Sequence, residues 1–203
     1  MRSKSKQKFL FASLMMLGCS FCLSSCSEDD DVTKEPTLEA VKGDYTGTVI
    51  VDLPTPRMGV RMAAAAEAAE GISIGATVKN DTVYFDDFLV RDIMELIMPE
   101  EQLDQVVKAL GKVKYKMGYS AEFNGVKDNI IMNFTPDPLE LTVSLDEDDS
   151  FTVNIDISAA GKGTYVLEDK KLTFELSIDK VMINDEELDD LIEPSLKYSL
   201  KQK

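Results

Sequence analysis

From residue 43 onward the chain alternates apolar and other side chains at every second position, in runs separated by turn residues. That period confines it to β structure, because successive side chains of a strand point to opposite faces. The first run places Tyr45, Gly47, Val49, Val51 and Leu53 on one face and ends at Pro54 and Pro56. Ile72, Ile74, Ala76 and Val78 alternate next, Asn80-Asp81 supplies a tight turn, and Val83-Tyr84-Phe85 begins the return strand of a hairpin. Val113, Tyr115, Met117, Tyr119, Ala121 and Phe123 lead to an Asn124-Gly125 turn, and the chain comes back through Ile130, Met132 and Phe134. Asn-Gly is the strongest short hairpin signal. Leu139, Leu141, Val143 and Leu145 then run through the acidic turn Asp146 to Ser150 into Phe151, Val153, Ile155 and Ile157. Thr164 to Leu167 faces Leu172, Phe174, Leu176 and Ile178 across Glu168 to Lys171, and Leu196, Tyr198 and Leu200 form a closing strand.

One helix interrupts the series. Pro99 suits its first turn, Leu103, Val106, Val107 and Leu110 recur at helical spacing, and Gly111 stops it. A shorter turn of helix is expected around Asp92 to Met98 and another over Glu186 to Glu193, with Leu188, Leu191 and Ile192 on one face. Each has a single apolar stripe and is expected to lie on the β domain as a lid or plug. About eight to ten sequential antiparallel strands with one apolar face can bury it only by closing into a barrel or folding into two sheets, and the order of hairpins favours a meander. The expected domain spans residues 43–203.

The first residues read as a processing segment. Arg2, Lys4, Lys6 and Lys8 precede an apolar stretch, Phe9 to Leu23, that is too short to span a bilayer, and Leu23-Ser24-Ser25-Cys26 closes it as a lipobox. Residues 1–25 are therefore expected to be a lipoprotein signal peptide that is removed, Cys26 the lipid-attachment residue, and residues 26–42 an acidic flexible tether. Cys19 and Cys22 lie in the removed segment, so no disulfide can form within the domain and the core alone must stabilise it. Stable attachment needs about two acyl chains. Ser27-Glu28-Asp29-Asp30-Asp31 resembles the acidic surface-export signal of Bacteroidetes lipoproteins, which implies an outer-membrane protein facing the exterior; as a mere solvated tether the run leaves a periplasm-facing protein as the alternative.

Charge and missing residue types exclude whole function classes. Net charge is −15, and it becomes −19 once the four basic residues of the first 25 positions are gone. That argues against nucleic acid as a partner, because phosphate binding needs clustered Lys and Arg. The chain has no histidine and no tryptophan. Without histidine there is no Ser-His or Cys-His nucleophile pair and no imidazole zinc site; an enzyme would have to use Asp, Glu, Lys or Tyr, as many glycosidases do.

Taken with the lipobox, the opening strand Gly43-Asp44-Tyr45-Thr46-Gly47-Thr48 and the turn Lys79-Asn80-Asp81-Thr82-Val83, the domain resembles the calycin-like domains of Bacteroidetes lipoproteins of unknown function. The resemblance implies a lipocalin-like barrel and lends no activity.

Four features are candidates for function. Arg57-Met58-Gly59-Val60-Arg61-Met62 and the Ala-rich run to Ala69 are long for a hairpin link, either a flap over a barrel mouth or a surface insertion. Asp86-Asp87 ends a strand that is apolar on both faces, where a carboxylate must find a cation, a partner or water. The clusters Asp146-Glu147-Asp148-Asp149 and Asn184 to Asp190 are dense in hard oxygen ligands but lack EF-hand spacing, and Gly161-Lys162-Gly163-Thr164 reads as a turn rather than a phosphate loop. No catalytic residue, metal ligand or cofactor is assigned. The reading is a membrane-anchored β domain that binds a small apolar or glycan ligand or a protein partner; the alternatives are an accessory subunit of a surface complex and a carboxylate-based hydrolase.

Overall fold

The computed structural model describes residues 35–53, 71–145, 150–188 and 193–203. Cys26 and Ser27 to Asp31, the Arg57 to Ala69 stretch and the Asp146 to Asp149 cluster lie outside the described residues.

The alternating runs become eleven strands of one antiparallel sheet: β1 Gly43–Asp52, β2 Ile72–Lys79, β3 Thr82–Phe85, β4 Tyr115–Phe123, β5 Asn129–Pro136, β6 Leu139–Ser144, β7 Ser150–Ala159, β8 Gly163–Val166, β9 Lys171–Ile183, β10 Glu186–Glu187 and β11 Ser195–Gln202. Strands β1, β2, β3, β4, β5, β8 and β9 pair in that order, and β11 pairs with both β9 and β1, which closes an eight-stranded barrel. β6 pairs with β7 as β5 pairs with β8, so residues 129–144 run antiparallel to residues 150–166 with one break mid-way. The break falls at Pro136-Asp137-Pro138, where two prolines lack the N–H a ladder needs. Counted this way the barrel is a plain meander, and β6, β7 and the second half of β9 extend beyond its rim. The two-sheet alternative does not apply.

Inward-facing side chains fill the barrel. Tyr45, Tyr165, Phe85, Met117, Ile130, Met132, Leu172, Leu176 and Ile178 are each less than 2% exposed. Aromatic rings run through the interior in sequence, Tyr119 to Phe134, Phe174, Tyr198 and Phe85, with Phe174 and Tyr198 stacked at 4.4 Å. One end is shut by a short 3-10 turn, Leu38–Val41: Val41 is fully buried and its carbonyl accepts the Tyr45 hydroxyl at 2.6 Å. Gln202 ties the last strand to the same turn, donating to the carbonyls of Ala40 and Lys42. The packed unit thus takes in residues from Leu38, where a tether to residue 42 was expected, because a Val with a barrel end to close gains more by burial than by solvation.

The helical insertion joins β3 to β4 at the other end. α1 spans Val90–Ile97 and α2 spans Glu100–Leu110, with Pro99 at the N-cap of α2 and Gly111 ending it at φ 60°. Ile93, Met94, Leu103 and Val106 are buried, and α2 packs on α1 and on β6. No helix among the described residues is long and apolar enough to cross a membrane.

The Asn124-Gly125 hairpin forms between β4 and β5, and one local expectation is corrected. The Asn124-Gly125 signal sits in a five-residue loop, 124–128, in which Lys127 carries the positive φ of 60° and Asn124 both accepts from the Asn129 N–H and donates to Asp128. The Asn side chain organises the loop, so Gly125 is not needed at a left-handed position. Residues Glu186 and Glu187 are strand β10, not the start of a helix: Asn184 and Asp185, at φ 51° and 65°, make a two-residue turn that folds the chain back on Met182 and Ile183.

At Gly47 β1 and β11 lie so near each other that a Cβ would land on the Ser199 carbonyl oxygen of the backbone. Gly47→Ala should destabilise the barrel by about 1–3 kcal/mol. Gly118→Ala, whose Cβ meets its nearest atom at 3.8 Å, should change stability by less than about 0.5 kcal/mol; urea denaturation of both variants measures the difference.

Candidate functional site

A cleft of about 470 Å³ opens on the flank of the barrel, and it arises from unequal strand lengths. β2 is eight residues long and β3 only four, so β3 pairs with Thr77, Val78 and Lys79 and leaves Ile72–Ala76 unpaired on that side among the described residues. On the other side the same residues are held by β1, in register from Tyr45↔Ala76 to Val49↔Ile72. After Phe85 the chain turns away because Phe88 N–H bonds the Val113 carbonyl at 2.8 Å and α1 begins at Val90. The space so left is lined by β2 from Ile72 to Thr77, by residues 86–92, by Val107, Leu110 and Gly111 of α2 and its cap, and by Asp44, Tyr45 and Lys203.

Carboxylates dominate its rim. Asp44, Asp86, Asp87 and Asp92 face two cations, Arg91 and Lys203. Arg91 is drawn toward α2 by Asp104 at 3.1 Å, Asp87 lies 3.6 Å from Lys112, and Asp44 accepts the Thr77 hydroxyl at 2.7 Å. Half-buried Asp92 titrates above the usual carboxylate range, chiefly because burial disfavours its charge, with Glu95 adding to the effect. Val107 and Leu110, partly buried, give the cleft an apolar wall.

The residues singled out in the sequence divide around this cleft. Asp86 and Asp87 line it, exposed just past the end of β3. Gly161 and Lys162 lie in the bend between β7 and β8, with Gly161 at φ 143°, and Gly163 and Thr164 begin β8. Asn184 fastens a turn by accepting from the Thr152 N–H at 3.0 Å, and Glu187 pairs with Lys180. Among the described residues no three acidic or cysteine side chains converge as a metal site. What sequence reasoning missed is the open stretch of β2; the clue was Asp86-Asp87 arriving only four residues after the turn, too soon for the return strand to cover its partner.

A family model described as a domain of unknown function, DUF4840, matches residues 40–183. The chain belongs to this family. No curated protein and no solved structure matches. The DUF4840 match runs from the 3-10 turn to the end of β9, so it includes β2, residues 86–92 and α2, the main walls of the cleft, while β11, which closes the barrel, lies past it.

The interior of the DUF4840 barrel has its own electrostatics. Burial raises the phenol of Tyr119 to about 12, with Asp81 and Glu39 contributing, and pushes those of Tyr45, Tyr115 and Tyr198 higher still. A phenol whose folded pKa exceeds its unfolded value of about 10 stabilises the fold fully below pH 10, and the contribution is lost as pH rises through the folded value. In an alkaline titration, tyrosinate absorbance should therefore lag behind free tyrosine and rise together with loss of the β circular dichroism signal; full ionisation with the fold intact would contradict the packing. The hydroxyls of Tyr119 and Tyr198 are buried without a partner among the described residues. Tyr198→Phe should consequently leave the urea midpoint unchanged or raise it, whereas Tyr45→Phe, which removes the bond to Val41, should cost about 1 kcal/mol.

Proposed function

We propose that this DUF4840 chain is a lipid-anchored binding protein of the outer membrane, attached through Cys26 and facing the cell exterior, with its recognition surface on the flank of the barrel at the β2 cleft. The observation that carries the binding part is the cleft itself: strand edge, carboxylate rim and apolar wall meet there, in a domain whose lumen is occupied by its own side chains. The lipid anchor rests on the lipobox Leu23-Ser24-Ser25-Cys26, and exposure to the exterior rests on the acidic run Ser27 to Asp31 and its resemblance to the export signal of Bacteroidetes lipoproteins. The proposal assigns no reaction to the cleft.

An accessory subunit of a surface complex is the second reading, favoured by the filled lumen. Both readings place a partner on the outside of the barrel.

Mass spectrometry of the chain recovered from its own membranes should give a polypeptide beginning at Cys26 plus the mass of about two or three acyl chains. Cys26→Ala should abolish that added mass and leave the apolar N-terminal segment in place. Replacing Glu28, Asp29, Asp30 and Asp31 by Asn should leave the protein in the membrane but remove its labelling by an impermeant amine reagent on intact cells. A Cys26→Ala chain that still fractionates with an acyl mass would overturn the anchor.

A further inference from the structure

Strand edges are normally guarded by charge, proline, bulges or a covering element, because their unpaired N–H and C=O groups are a template for another chain. Two other open edges among the described residues are guarded in this way. β10 carries Glu186 and Glu187, and β6 has Glu140 on its outward face and α2 packed on it. Ile72-Ser73-Ile74-Gly75-Ala76 carries no charge, no proline and, among the described residues, no strand on the side away from β1.

The register says which groups are offered. Lys79 and Thr82 flank the two-residue Asn80-Asp81 turn, so they exchange backbone bonds, and every second residue from there, Thr77, Gly75 and Ser73, points its N–H and C=O to the β3 side. Thr77 meets Tyr84. Ser73 and Gly75 therefore present four backbone groups to the cleft, while Ile72, Ile74 and Ala76 bond β1 and keep their side chains in the core. Five open residues make a platform about 17 Å long.

We propose that this edge of β2 receives an extended, positively charged segment of a partner protein, which adds a strand in the line that β3 vacates at Phe85. The inference rests on the cleft being the recognition surface. Backbone bonds to Ser73 and Gly75 supply the pairing. Asp44, Asp86, Asp87 and Asp92 outnumber Arg91 and Lys203 around it, so the segment that complements them is basic, and an acidic one is repelled. Alternate side chains of the added strand fall against Val107 and Leu110 on one side and against the acidic rim on the other.

The test uses the mature lipidated chain in non-ionic detergent and a synthetic octapeptide alternating Lys with Val or Thr, followed by hydrogen exchange at single-amide resolution. Saturating peptide should slow exchange at Ser73 and Gly75 at least about tenfold while leaving Ile72, Ile74 and Ala76 unchanged, and binding should weaken as salt rises. Gly75→Pro removes a cleft-facing N–H without touching the β1 pairing, so it should keep the barrel's circular dichroism and lose at least about tenfold in peptide affinity. Should that variant fail to fold, the same peptide N-methylated at alternate residues reads the same bonds on the wild type. Equal binding of the methylated peptide, combined with loss on Asp86→Asn/Asp87→Asn, would overturn strand addition and leave the cleft as a binding site. No protection and no binding at millimolar peptide would overturn both. Amides at 73 and 75 already protected without peptide, or protected only as protein concentration rises, would mean the chain itself or a second copy fills the edge, and the proposal fails.

Discussion

The pairing of β1 with β11 is the constraint on which the rest of the molecule depends. Eight residue pairs, from Tyr45↔Gln202 to Asp52↔Ser195, join the two ends of the described fold and turn an open meander into a closed wall. Without that contact the first and last strands would each expose a long edge and the aromatic interior would open to water. It demands local accommodation as well, since β1 and β11 approach so closely that residue 47 has no room for a side chain. Gln202 then reaches past the seam to the carbonyls of Ala40 and Lys42, so the same contact that closes the wall also fastens the cover on one end.

Closure has a consequence for where open backbone can survive. In a barrel of equal strands no edge would remain; here the strands differ in length, and each mismatch leaves something over. β9, at 13 residues, outruns β11 and carries β7 and β10 on its second half, and the flange this makes is the seat of the helical insertion. β3, at four residues, falls short of β2, and the shortfall is the cleft. Flange and cleft are two sides of one fact, because the chain that leaves β3 early is the chain that builds α1 and α2 over the flange.

Much of this was legible in the sequence, for identifiable reasons. Period-two runs located the strands because one face of each had to be buried, and Pro99 and Gly111 bracketed α2 because one suits a helix start and the other its left-handed end. Asn80-Asp81 marked a true two-residue turn, with both residues at positive φ. Asn124-Gly125 marked the β4–β5 hairpin correctly, although the Asn side chain there organises a loop of five residues. Apolar spacing from Glu186 suited a helix, but the left-handed pair at Asn184 and Asp185 puts Glu186 and Glu187 in a hairpin, and residues 189–192 of the expected helix lie outside the described residues. The choice between barrel and sandwich, and the cleft with it, depended on which distant strands pair and over how many residues, which a periodicity leaves open. Asp86-Asp87 stood out as a strand end; that Asp44, Asp92 and α2 would gather around it follows only from the closed topology.

The filled lumen belongs to the same chain of causes. No cysteine follows Cys26, so the barrel has none with which to staple itself and its stability must come from buried apolar area. Phe85, Tyr198, Phe174 and Phe134, ring against ring, supply that area in the one place an eight-stranded barrel has to offer, its interior. Space used for stability is then closed to a ligand, and a binding role has to move to the outer wall, where backbone rather than volume is the resource. Among the described residues, the uncharged stretch Ile72 to Ala76 of that wall offers unpaired backbone beside an acidic rim, and in such a place recognition would be carried by strand pairing and charge, with the aromatic core serving as the rigid support that holds the edge straight.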